Sequence, residues 1–457
     1  MPYIYGHRSS DNRCSSIIVD NKSYIIIENL YVEIMWRISN GRGINLLRGS
    51  NNSIIGCTIS GSIDQDTVGI LNWGCTNPTI QNNIIHGCQY GIHIDTPDGA
   101  GYPGLVENNI CYDIIYGTAT DWDGIKIGRN PGDDFTGFTV RGNEIYSFNE
   151  DGIDAFYADN IVIENNYIHD VDTRKNNDNQ SGIKTVANGV IIRYNKICNI
   201  QHSTINNRYG INAEGDDLQI YYNLIYNTKN AGILIGPNLT SCSVYNNTVS
   251  GCGNGLEVQG NTSITVQNNI LDGITDDLNI TVSGTVVTGG YNLLANDPSP
   301  NIGSGVTYSG VEHDIYGADP LFDTDYTLLS GSPAINVGIN VGLSVDLNGI
   351  SVPSGYSTEI GAYEYYQPYY SITPDTVDIY LSPIEFSSID FVPMYSSSRF
   401  RDTKFRSYIT RKINEDSNIE NRIKNLDSEV ILLVEFKSPI TRTIYRNSRI
   451  LLNNLLN

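Results

Sequence analysis

Basic residues are scarce in this chain: 28 Lys and Arg against 50 Asp and Glu leave a formal net charge of −22 over 457 residues. A chain so acidic is repelled by a phosphate backbone, which argues against a nucleic-acid partner. Long apolar runs are missing as well. No stretch approaches the ~18 residues of a bilayer-crossing helix, so no membrane span is expected. Charged residues make up only 17% and hydrophobic ones 40%, a balance that excludes a disordered chain. Cysteine is present but never paired. Cys14, Cys57, Cys75, Cys88, Cys111, Cys198, Cys242 and Cys252 are scattered singly, without a CxxC pair. A zinc site therefore has little support, and buried thiols in a core are the expectation. The opening thirty residues hold no basic stretch followed by an apolar core and a small-residue cleavage site, so no export signal is read there.

What the chain does have is Gly (44), Tyr (31) and an internal repeat. The segments IQNNIIHG (80–87), VENNICYD (106–113), VRGNEIYS (140–147) and IENNYIHD (163–170) share one pattern. IRYNKICN (192–199), IYYNLIYN (220–227), VYNNTVSG (244–251) and VQNNILDG (266–273) continue it. The shared residue is Asn83, Asn109, Asn143, Asn166, Asn195, Asn223, Asn247 and Asn269, at intervals of 22 to 34 residues. A Gly followed by Ile or Leu runs in phase, from Gly43-Ile44 to Gly255-Leu256. Two short strands per repeat of this length predict one turn of a parallel β-solenoid; helical repeats of similar period would need helical spacing, which is absent. Equivalent residues of neighbouring coils then stack about 4.8 Å apart, and the recurring Asn forms an inward turn ladder.

Stacking turns a list of residues into a surface. The position two after each marker Gly points away from the core. In coil order that column reads Asn45, Leu71, His93, Lys126, Asp154, Lys184, Asn212, Leu234, Glu257. Charge gathers in three successive coils: Asp123 and Lys126, then Glu150, Asp151 and Asp154, then Lys184. Four carboxylates in one patch repel unless protons or a cation neutralise them, so a hard, oxygen-bound cation such as Ca²⁺ is implied. A ladder of ion pairs, Lys126–Asp154–Lys184, is the plainer alternative, although the excess of acids over lysines is more than pairing requires.

The repeat resembles the right-handed parallel β-helix of pectate lyases and related polysaccharide enzymes over about residues 20–285. That resemblance, and not the period, implies the right hand. The fold expected is thus all-β, a single-stranded right-handed parallel β-helix with a C-terminal closing segment and a small extra region. The site motifs EDGID, DWDGI and SGIK resemble the active site of family 9 polysaccharide lyases, calcium-dependent pectate lyases. The resemblance implies calcium ligands at Asp123, Glu150, Asp151 and Asp154, and a Brønsted base at Lys184. Glu150 departs from the usual Asp. Lys126, Arg129, Arg208, Tyr90 and Trp122 are candidates to bind an acidic polysaccharide, polygalacturonate or a similar polymer. Longer intervals at 91–124, 152–182 and 182–210 mark inserted loops beside these coils, and such loops tend to carry function. His93, His169 and His202 are weaker candidates for acid groups.

Three regions are expected: residues 1–285 carrying the site, 286–367 closing the solenoid with ADPLFDTDYTLLSGSPAINVG and EIGAYEY, and 368–457 of unknown role. The last 64 residues hold 12 basic and 7 acidic residues, and this region is open as a small domain, an anchor or an oligomerisation element. The function expected is β-elimination of a polyuronate by a secreted or cell-surface protein. The alternatives are a β-helix of a virion tail or cell surface that binds glycans with or without cleaving them, and a glycoside hydrolase using paired carboxylates.

Overall fold

A computed structural model describes residues 3–5, 15–34, 41–61, 67–95, 103–114, 122–128, 136–172, 180–201, 207–237, 239–260 and 262–365. The chain divides into two compact units, Met1–Gln367 and Pro368–Asn457, and the second lies wholly outside the described residues. Its role remains an open expectation.

One coil shows how the sequence builds the whole. Strand Phe138–Arg141 ends at Gly142-Asn143, strand Glu144–Phe148 follows, and after Asn149-Glu150 comes strand Asp151–Ala155. Successive coils stack these strands in parallel, giving three faces. The first is a sheet of twelve strands from Ile26–Glu28 to Thr307–Tyr308. The second and third join where strands Thr248–Val258 and Ile270–Ile280 run through both. Short paired strands continue the coils to Ile315–Tyr316, past residue 285 where the sequence markers fade. Among the described residues the helical structure is one 3₁₀ turn, Gly310–Glu312.

The interior is built of single-file columns. Ile125, Ile153, Ile183, Ile211 and Ile233 stack in register on the third face, each fully buried. Cys111 fills a place in the equivalent column of the second face, between Ile85 and Ile145. The seven cysteines within the described residues are free and buried, and burial pushes the Cys111 thiol up, as expected of thiols used as small apolar groups.

Each marker Gly is required by close approach. A Cβ on Gly152 would lie 2.5 Å from Ile168 Cγ2 and 2.6 Å from the Gly182 carbonyl oxygen. Here the third face turns so tightly against its neighbours that no side chain fits.

The Asn ladder is continuous. Asn83 Nδ2 donates to Asn109 Oδ1 at 2.9 Å, and the same bond repeats through Asn143, Asn166, Asn195, Asn223, Asn247 and Asn269. It extends two rungs beyond the sequence pattern, to Asn292 and then Asp314. Residues just before the rungs, such as Asn82, Asn108 and Asn165, hold φ of 54 to 57°, a left-handed conformation Asn adopts readily.

The closing segment docks along this Asn edge. Asn246 Nδ2 donates to the Glu359 carbonyl, the Gly361 amide to the Asn268 carbonyl, and the Ala362 amide to Thr248 Oγ1.

Candidate cation site on the third face

Three coils converge at the expected place. Strands Ile125–Ile127, Asp151–Ala155 and Gln180–Thr185 lie side by side. Their register pairs Lys126 with Asp154 and Asp154 with Lys184, and His93 precedes Lys126 in the same column.

Backbone amides aim the acids. Asp123 Oδ1 accepts from the Asp151 amide at 3.2 Å, and Asp151 Oδ1 accepts from the Ser181 amide at 2.8 Å. Asp123 and Asp151 thus each spend one oxygen on the next coil and turn the other toward the cluster. Asp123, Asp151 and Asp154 offer carboxylate oxygens all within 4.8 Å of one another, and all three are buried. Asp154 Oδ1 is buried without a hydrogen-bond partner. Oxygen donors in this number, one of them orphaned, fit a hard cation such as Ca²⁺.

Two ammonium groups share the cluster. Lys126 Nζ lies 3.0 Å from Asp123 Oδ2 and 2.6 Å from Asp154 Oδ2. Lys184 Nζ lies 3.7 Å from Asp151 Oδ2. Burial alone would lower the Lys184 ammonium, but Asp151, Asp154, Asp123 and Glu150 together outweigh it and hold the group above the usual lysine range. Burial pushes the Asp151 carboxyl up, with Lys184 opposing and the Asp154 charge reinforcing.

The other residues singled out in the sequence take varied places around this cluster. The column two after each Gly faces away from the core but is no open surface: Lys126 is 4% exposed and Asp154 2%. Side chains stacked at strand spacing cover one another's flanks, and the rings of Tyr90 and Phe156 stand 5.9 and 5.6 Å from Lys126 Nζ. Glu150 lies beside the triad, not in it, because its Oε2 accepts from the Trp122 amide at 3.1 Å. Trp122 belongs to the interior apolar cluster, where an indole gains more from burial than at a rim. Arg208 is fully buried, not a surface cation, and its strand pairs it with Gln180. Tyr90 is half-buried against His93, with ring centres 5.0 Å apart. His93 is buried 3.8 Å from Asp95, and His169 stacks on Tyr146 on the second face, away from the cluster. Arg129, His202 and most of the inserted loops lie outside the described residues.

One contributor was missed. Phe156 has Lys184 Nζ at 5.5 Å from its ring centre as well as Lys126. The signal was in the segment EDGIDAF itself, since Phe156 follows Asp154 by two.

The family model described as a right handed beta helix region matches residues 3–131 and 106–271, and the chain belongs to that family. No curated protein matches it. Among solved structures, the chain is similar to the pectate lyase Pel9A at 14% identity and a TM-score of 0.45, covering 72% of this chain and 88% of that one. It is also similar to the mannuronan C-5 epimerase AlgE4 A-module of Azotobacter vinelandii (12%, TM-score 0.40, 69% and 88%) and to the Dettilon tailspike protein (15%, 0.32, 67% and 62%). These are likenesses of fold. No described helix is long and apolar enough to cross a membrane.

Proposed function

We propose that the chain is a polysaccharide lyase that cleaves a polyuronate by β-elimination, using Ca²⁺ held by Asp123, Asp151 and Asp154, and Lys184 as base. The observation that carries this reading is the stacking of three buried carboxylates, two of them aimed by backbone amides, against a lysine one coil further on, Asp154 opposite Lys184.

Elimination removes the C5 proton of a uronate. The C–H electron pair becomes the C4=C5 double bond, and the C4–O bond breaks with its pair leaving on oxygen. Bound calcium would supply positive charge to the uronate carboxylate and so stabilise the charge developing at C5. Lys184 accepts the proton, which requires a neutral amine. The surrounding carboxylates hold it protonated, so their charge must be offset before it can serve as base. Phe156 limits where the lysine head can lie, and Ser181 fixes Asp151 through its amide.

Mass analysis of products from a panel of uronans tests the reaction class. Elimination leaves an unsaturated non-reducing end. Saturated ends on every cleaved chain would replace the lyase reading with hydrolysis.

A further inference from the structure

The triad already holds a cation of its own. Lys126 Nζ touches Asp123 Oδ2 at 3.0 Å and Asp154 Oδ2 at 2.6 Å, engaging two of the three acids a metal would need. The rings of Tyr90 and Phe156 flank the same ammonium. We propose that Lys126 is a built-in occupant of the cation seat, and that a divalent cation binds here only by displacing it. The inference rests on the calcium reading above and adds a control to it.

Charge explains why the exchange is possible. With all three acids ionised, the triad carries three negative charges and Lys184 one positive, leaving two. One ammonium offsets half of that remainder, and one divalent cation offsets all of it. Asp154 Oδ1, buried and unpartnered, is left unsatisfied with Lys126 in place and is available as a ligand to a larger charge. Ammonium and divalent cation cannot share the seat, because two positive charges that close in a buried site repel strongly. Lys126 stays tethered beside the site by strand Ile125–Ile127, so it competes as an intramolecular ligand at high local concentration. Cation affinity is thereby set low, and the seat stays partly neutralised when metal is scarce.

The test is titration calorimetry of the full chain with CaCl₂ alone, comparing wild type with Lys126→Met. The uncharged variant should bind roughly tenfold tighter or better, since a resident charge no longer has to be displaced. Equal affinities would overturn the inference and leave the calcium reading standing. Absence of binding in both proteins would remove the calcium reading and this inference with it. Should Lys126→Met fail to fold, wild type gives a second readout through reductive methylation followed by peptide mass analysis. Calcium should raise labelling of Lys126; unchanged or lower labelling at saturating calcium would overturn the displacement.

Discussion

Within the site, Asp123 and Asp151 each divide their two oxygens between structure and charge. Asp151 gives Oδ1 to the Ser181 amide and leaves Oδ2 beside Lys184. An amide side chain keeps the first contact and loses the charge. Asp151→Asn should therefore fold as wild type does by circular dichroism, yet lose calcium affinity roughly tenfold or more in calorimetry. Retained affinity would remove Asp151 from the ligand set. The acids were legible in the sequence because EDGID and DWDGI repeat the marker Gly in adjacent coils. Lys126's position was only half legible. Register fixed its neighbours, but nothing in the string told whether its head would reach for solvent or fold back onto Asp123 and Asp154. The burial of Trp122 and Arg208 was not legible either: Trp122 precedes strand Ile125–Ile127 and Arg208 opens strand Arg208–Ala213, so strand alternation does not fix where either side chain points.

Between coils, stability comes from repeated inward contacts. Asn166 Oδ1 accepts from both the backbone amide and Nδ2 of Asn143, while its own Nδ2 donates to Val140 O and Asn195 Oδ1. Asn166→Ala strands these buried groups at ~1–3 kcal/mol each. Denaturant unfolding should show a loss of several kcal/mol, and a loss below about 1 kcal/mol would mean water repairs the ladder. The ladder was readable because the short Asn carboxamide can accept from one coil and donate to the next. Its end was not. Asp314 breaks the Asn pattern, yet it suits the last rung: it accepts from the Asn292 amide and Nδ2 and is itself held by the hydroxyl of Tyr308.

Over the whole molecule, buried acids make stability depend on pH. Glu359, in the closing segment, is pushed up from 4.5 to about 9, first by burial and then by Glu364 beside it. Asp346 and Tyr222 also lie near this pair, and the Glu364 amide donates to Asp346 Oδ2. The folded chain holds the Glu359 proton across a range in which the unfolded chain releases it. Its contribution is therefore fully present below about pH 4.5, declines as pH rises, and is gone above about pH 9. Thermal unfolding should show a midpoint that falls over this interval, and Glu359→Gln should flatten the fall. An unchanged slope in the variant would place the dependence elsewhere, Asp277, raised to about 6, being the next group to test. Closure by EIGAYEY was expected from the sequence. That it clips along the Asn edge was not, since those hydrogen bonds join residues far apart in the chain, Asn246 with Glu359 and Thr248 with Ala362.

The central claim is that Lys184 and the acidic triad act together on a uronate. Its most direct measurement is the ultraviolet absorbance of the unsaturated product from polygalacturonate, followed in calcium and in chelator for wild type and Lys184→Ala. The predicted result is a rise in calcium that chelator abolishes and the variant lowers by ~10²–10⁴-fold. A rise that persists in chelator, or survives in Lys184→Ala, would contradict it.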